Sequence, residues 1–111
     1  PNPQTPVDKT DKTPWHTLLA QVEPLARRLA ELQAPRLRVD LEGRAVGYRS
    51  LEGLDLEGVT SLLRQMLSAL ARQYPEPRAV QVIGLWPGTP SQPVRREVLS
   101  EVEAEDDTAW F

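Results

Sequence analysis

The 111-residue sequence contains no cysteine and a single histidine, His16. Without cysteine there is no disulfide framework, no thiolate nucleophile and no Cys-ligated zinc or iron–sulfur site. One histidine also leaves the usual histidine-based metal centres and catalytic triads incomplete. His16 stands at the predicted start of a helix, with neither an orienting acid nor a nucleophile in view. We therefore predict that the protein is not an enzyme and has no cofactor.

Long apolar runs are missing as well. No stretch approaches the roughly 18 apolar residues that a bilayer-spanning helix needs. The chain opens on polar residues and prolines, not on the basic and then apolar segments of a secretory signal. We therefore expect a cytoplasmic, water-soluble domain with no membrane insertion by this segment. The prolines of residues 1–14 predict a flexible linker, which favours a domain that is part of a larger protein.

Charge is distributed unevenly along the chain. Lysine occurs only in the linker, at Lys9 and Lys12, where two aspartates balance it. Residues 15–96 carry 11 arginines against eight acidic residues, whereas residues 97–111 carry six acidic residues and no base. The net charge of -3 therefore combines a mildly basic domain with an acidic tail, predicted over residues 103–111.

The acidic tail ends on two aromatic residues, Trp110 and Phe111. Its carboxylates lack the ligand spacing of a calcium loop, so a solvated tail with weak counter-ion binding is one interpretation. In the other, Trp110 and Phe111 anchor the tail to a basic partner, with the charges steering the encounter. Docking of Trp110 on its own domain is a third.

Two segments have the three-and-four spacing of apolar residues that is typical of a helix with one buried face. The first runs from Trp15 to Gln33, with Thr13 as its cap, and Pro24 is predicted to bend or split it. The second follows a cap at Asp55 and ends before Pro75.

The segments on either side of Glu42-Gly43 alternate between apolar and polar residues, which predicts a β-hairpin with a two-residue loop. With that loop, Val39 faces Val46 and Leu37 faces Tyr48 across the hairpin. Both strands would then present their apolar residues to the same side.

Two further segments complete the predicted sheet. Residues 78–86 form the most apolar stretch and are predicted to be a central strand. In residues 94–102 the apolar residues are spaced so that they fit either a strand, with a period of two, or a helix, with a spacing of four. We favour the strand, because a central strand needs a neighbour for its backbone groups. The predicted fold over residues 15–102 is α+β, in the order αββαββ: a two-layer sandwich with two helices on one face of a four-stranded antiparallel sheet. It is related to the ferredoxin-like plait by moving the first strand of that plait to the end.

Three stretches together resemble a small αββαββ domain of uncharacterised cyanobacterial proteins: residues 80–99, the Val22-Glu-Pro-Leu segment and the Leu41-Glu-Gly-Arg hairpin. Gly84, Gly88 and Pro93 match the glycines and proline of that family, whereas Val94 and Arg95 stand where it has a tryptophan. The resemblance implies that residues 94–102 are a strand. It also implies a bacterial interaction module joined to other parts of a longer chain, with no catalytic residue.

The sheet face away from the predicted helices is the candidate interaction surface. Arginine beside Ile and Leu makes a partly apolar patch that a protein partner can desolvate. No member of this set is aromatic, so the face would offer nucleic acid only salt-sensitive attraction to phosphates. We predict a non-enzymatic protein–protein interaction or oligomerisation module, with single-stranded nucleic-acid binding as the alternative; a plain solvated face and docking at an open edge strand also remain. The predicted face contains Arg36, Arg38, Arg49, Gln81, Ile83, Leu85 and Arg95.

Overall fold

The computed structural model describes residues 13–104. Most of the predicted linker and the tail anchors Trp110 and Phe111 lie outside the described residues. The described part is an α+β fold with three helices and a four-stranded antiparallel sheet. Its elements are α1 (Pro14–Ala20), α2 (Val22–Glu31), β1 (Arg36–Leu41), β2 (Arg44–Ser50), α3 (Leu56–Gln73), β3 (Ala79–Trp86) and β4 (Arg95–Glu103). The strand prediction for residues 94–102 is confirmed by β4.

The first predicted helix is two helices, α1 and α2. The Thr13 hydroxyl accepts a hydrogen bond from the backbone N–H of His16 at 3.3 Å, which caps α1. The helix breaks at Gln21, so Pro24 falls in the first turn of α2. A proline is tolerated there because N–H groups of a first turn have no partner inside the helix. The predicted split at Pro24 is therefore confirmed, and it raises the number of helices from two to three.

Helix α3 begins where the sequence predicts. The Asp55 carboxylate accepts a hydrogen bond from the backbone N–H of Gly58 at 2.8 Å. This cap satisfies one of the free donors of the first turn, and Glu57 adds a negative charge near the positive end of the helix dipole. One face of α3 is buried throughout its length, as the spacing predicts; its residues are Val59, Leu63, Met66, Leu67 and Leu70.

The strand order across the sheet is β2-β1-β3-β4. The connection through α3 leaves β1 between the parallel strands β2 and β3, which is a split βαβ unit. In a ferredoxin-like plait whose first strand has been moved to the end, the strand between these two parallel strands would be the last one, β4, and not β1. The sheet therefore does not have the order of a permuted plait. Strands β1 and β3 are central, and β2 and β4 form the edges.

The core lies between one side of the sheet and the helices. On that side Leu37 lies opposite Gly84 and Val39 opposite Val82, and these residues of β1 are fully buried. Helix α2 packs against this side, since a Cβ at position 84 would lie in ordinary contact, 3.5 Å from a methyl group of Leu29. We call this the helix side of the sheet and the other the open face.

Helix α2 ends with an unusual backbone conformation at Gln33, which has φ 55°. The N–H of Ala34 nevertheless closes the helix by bonding the Leu29 carbonyl at 3.1 Å. A side chain costs about 1 kcal/mol in this left-handed region, which glycine enters freely. We expect Gln33→Gly to raise the free energy of unfolding by about 0.5–1 kcal/mol, measured by urea denaturation. The matched change Ala30→Gly, inside the same helix, should lower it by about 1 kcal/mol.

Candidate interaction surface

A β-bulge in β2 changes which of its side chains face the helices. The hairpin has the predicted two-residue loop, because Glu42 and Gly43 both have positive φ values, of 52° and 85°. The pairing then shifts by one residue, and Val39 lies opposite Gly47 instead of Val46. Val46 and Gly47 are consecutive residues on the helix side, which is the local geometry that a bulge produces. The predicted pairing of Val39 with Val46 is therefore wrong.

The same bulge exchanges the positions of Tyr48 and Arg49. Tyr48 lies opposite Arg38, on the open face, and not opposite Leu37 as predicted. Arg49 lies opposite Leu37 and so belongs to the helix side, where its guanidinium donates to the Tyr48 carbonyl at 2.9 Å. Placing Arg49 on the open face was wrong because a one-residue slip moves every later side chain to the other face.

A second bulge lies in β4, the other edge strand. The pairing shifts between Val82 and Ile83, so that Val82 lies opposite Ser100 and Ile83 opposite Val98. The extra residue, Leu99, packs against the core. Ser100 beside it also faces the helices, because its hydroxyl donates to the side-chain carbonyl of Gln21 at 3.1 Å.

The β4 bulge places Arg95 on the helix side, which corrects the prediction for this residue. Arg95 lies opposite Trp86, and its guanidinium carbon is 4.1 Å from the centroid of the indole ring. It also lies 3.4 Å from a Glu97 oxygen, and the second oxygen of Glu97 is 3.2 Å from Arg28 of α2. Arg95 thus ties the start of β4 to the helix layer, and Arg96 takes its place on the open face, opposite Leu85.

Five residues of the predicted set lie on the open face, and sequence reasoning missed others. The pairing of β1 with β3 brings together Arg36 with Leu85, Arg38 with Ile83, and Asp40 with Gln81. The residues that were missed, placed there by the two bulges or by the pairing with β3, are Asp40, Tyr48, Arg96, Val98, Glu101 and Glu103.

The row of residues across the middle of the open face runs from Tyr48 through Arg38 and Ile83 to Val98. Ile83 is 1% exposed, whereas Tyr48 and Val98 on the two edge strands are 44% and 47% exposed. The buried residue therefore lies on a central strand and the two exposed apolar side chains flank it. Tyr48 and Val98 are three strand spacings apart, about 14 Å at about 4.8 Å per spacing, so they are two separate exposed apolar groups on one face.

Charged groups on the open face are separated by sign. Arg36 and Arg96 flank Leu85 at one end, and Asp40 and Glu101 flank Gln81 at the other. Asp40 and Arg38 neutralise each other, since the Arg38 guanidinium binds both oxygens of Asp40 at 2.9 and 3.1 Å. Glu101 is therefore the carboxylate of this end that has no ion pair among the described residues.

At the basic end, Arg36 contacts the exposed side chain of Tyr48. Its guanidinium donates to the Tyr48 hydroxyl at 3.3 Å and lies 5.9 Å from the centroid of the ring. The Nε atom of Arg36 is shielded from solvent and has no acceptor among the described residues. The basic end is thus fixed in place and lacks a counter-charge of its own.

Other kinds of feature that could form a functional site in residues 13–104 would be a histidine, a cluster of metal ligands, a membrane-spanning helix or a surface depression. His16 is exposed on α1, and no three Asp, Glu or His side chains in this range lie together as metal ligands. No helix in the same range has the length and apolar character to cross a membrane. A surface depression of about 640 Å³ lies beside the hairpin loop and Pro75 and opens to solvent.

No family model, no curated protein and no solved structure matches this chain. The open face is therefore the feature from which its function is inferred.

Proposed function

We propose that this domain is a non-enzymatic protein–protein interaction or oligomerisation module that binds its partner through the open face. The observation that carries the proposal is the pair Tyr48 and Val98, two apolar side chains nearly half exposed on the same sheet face. Ile83 lies between them and is already buried, so it offers no surface of its own to a partner. Desolvation of Tyr48 and Val98 by a partner would contribute to the free energy of association.

The residues around these two side chains are those that protein interfaces favour. Tyrosine and arginine are enriched at interfaces because each combines a large apolar area with polar groups at its tip. Here Tyr48 and Arg36 lie together at one edge, and the remaining charges form the rim. Exposed apolar groups next to charged residues are common in specific interfaces.

The two-layer arrangement is part of this proposal, because it leaves the open face free. It is supported by the contacts of the helices with residues of one side of the sheet, such as Gly47 with α3 and Ser100 with Gln21. We also propose the kinship with cyanobacterial interaction domains, membership of a larger bacterial protein and a cytoplasmic location. The hairpin, helix, hairpin order after α2 is consistent with that kinship.

A second candidate function, binding of single-stranded nucleic acid, gains support from Tyr48. An exposed aromatic ring beside Arg36 is the pairing on which a base can stack. Against it, Asp40, Glu101 and Glu103 share the same face and would repel phosphates. Retention of a single-stranded oligonucleotide at low salt, lost in Tyr48→Ala, would favour this candidate over the protein interface.

The proposed function is tested by capture with a matched pair of variants. Tyr48→Lys/Val98→Lys replaces the two exposed apolar side chains of the face by charged ones. Leu54→Lys/Leu56→Lys makes the same change at two leucines that are 43% and 42% exposed and lie outside the sheet. We expect the wild-type chain and the leucine variant to retain the same protein, including a differently tagged copy of this chain, and the sheet variant to lose it. Equal retention by both variants, or none by the wild type, contradicts the proposal.

A further inference from the structure

The open face carries charges that no described residue neutralises, and they stand at opposite ends. Arg96 at one end of β4 has no ion pair, and neither do Glu101 and Glu103 at the other end of the same strand. The arginine row and the carboxylate row are four residues apart along β3, from Leu85 to Gln81. At about 3.3 Å per residue, that is roughly 13 Å.

This arrangement is complementary to itself. Ile83 lies halfway between the two rows, since it is two residues from Leu85 and two from Gln81. A two-fold axis that runs across the strands at Ile83 reverses the strand direction in the second copy. Arg96 of each copy then lies over Glu101 of the other, whereas Arg36 lies over Asp40, which is buried and already paired with Arg38. The complementary contact is therefore the one between Arg96 and Glu101. An axis along the strands would instead place arginine over arginine.

The middle of the face fits the same axis. Val98 of each copy would meet its own equivalent on one edge strand, and Tyr48 would do so on the other, whereas Ile83 is already buried within its own copy. Arg38 also lies in the middle and would approach its own copy, but its charge is already neutralised by Asp40. The axis therefore brings apolar surface onto apolar surface with no uncompensated like charges.

The area of the face limits the size of such an interface. Four strands spaced about 4.8 Å apart and about 20 Å long present roughly 400 Å² per copy. Two copies would bury about 800 Å² in total, which is in the range of small, transient interfaces. We therefore expect a reversible association.

We infer that the partner of the open face is a second copy of this chain, bound face to face with the strands of the two copies antiparallel, so that Arg96 of each pairs with Glu101 of the other. The inference rests on the proposed function and specifies its partner. Every contact occurs twice in such an isologous dimer, so a change at one residue acts at two places.

Charge exchange at Arg96 and Glu101 tests this dimer. The mass of the full chain is measured by sedimentation equilibrium over a concentration series, for wild type, Arg96→Glu, Glu101→Arg and the double variant. We expect each single variant to weaken dimerisation at least about tenfold, because like charges then meet twice. The double variant should recover dimerisation, and so should an equimolar mixture of the two single variants. Arg64→Glu, at an exposed arginine of α3, is the matched control and should dimerise as wild type does.

Two results would overturn the inference. A wild-type chain that remains monomeric at several hundred micromolar has no such dimer. A wild-type dimer that neither single variant weakens, or that the double variant fails to restore, uses a different surface. Either result leaves the proposed function standing if Tyr48→Lys/Val98→Lys still abolishes capture of another protein, so the two failures are distinguishable.

Discussion

Replacing Leu67 by alanine is expected to lower the free energy of unfolding by about 3–4 kcal/mol. Leu67 is 0% exposed in the middle of α3, where it belongs to the core between the helices and the sheet. The substitution removes buried methyl groups and leaves a cavity that helix and sheet, both fixed by their hydrogen bonds, can only partly fill. Small domains have about 5–15 kcal/mol of stability in total, so the loss is a large fraction of it.

The control for this prediction lies on the same helix. Leu56→Ala makes the same chemical change at a residue that is 42% exposed, and we expect it to cost less than about 1 kcal/mol. Both variants are compared by urea denaturation followed by circular dichroism. Equal losses at positions 67 and 56 would mean that the helix side of the sheet is not the core.

Replacing Asp40 by alanine is expected to cost about 2–3 kcal/mol. The Asp40 side chain is 7% exposed and binds the Arg38 guanidinium through both oxygens, with Arg38 itself 21% exposed. Removal of the carboxylate leaves a half-buried cation without its partner, which costs more than the pair contributed. The partial exposure of Arg38 lets water compensate some of this loss, so the expected value lies below that of a fully buried pair.

A double variant separates this explanation from a simple loss of packing. Arg38→Met/Asp40→Leu replaces both charges by apolar side chains of similar size, and such replacements are often neutral or stabilising. We expect its free energy of unfolding to be within about 1 kcal/mol of wild type. If the double variant were less stable than Asp40→Ala, the unpaired cation would not be the cause.

The elements that local chemistry determines were predictable from the sequence. The cap at Asp55, the helix break before Pro24 and the positive φ values at Glu42 and Gly43 each follow from a side chain acting within a few residues of itself. The strand at residues 94–102 also followed, because β3 needs a hydrogen-bonding neighbour on each side.

The faces of the edge strands were not predictable by simple alternation, because each edge strand contains a bulge. Arg49 and Arg95 were assigned to the open face on the assumption that side chains alternate regularly between the two faces. One extra residue in each strand moves these two side chains to the other face. Two signals could have revealed this: Gly47, since glycine inside a strand often marks a bulge, and the adjacent apolar residues Val98 and Leu99. The face assignments on β1 and β3 needed no such correction, because those strands pair with each other without a shift.

The order of the strands was beyond the reach of local patterns. Every strand that the sequence predicts has an apolar side. The apolar residues of β3, such as Val80 and Val82, therefore do not determine whether β1 or β4 lies between β2 and β3. That choice depends on which pairing buries the most apolar surface across distant parts of the chain. The sequence pattern therefore predicts the number of strands but not their order in the sheet.

The extra residue in each outer strand has a consequence for how large an assembly of this protein can grow. A β-sheet recruits further chains through the regular row of free N–H and C=O groups along its rim, and an irregular rim is a poor template for that addition. In the proposed face-to-face dimer, by contrast, each copy would use its whole open face, so assembly would stop at two copies. The irregular edge strands would then disfavour strand-by-strand addition of further chains.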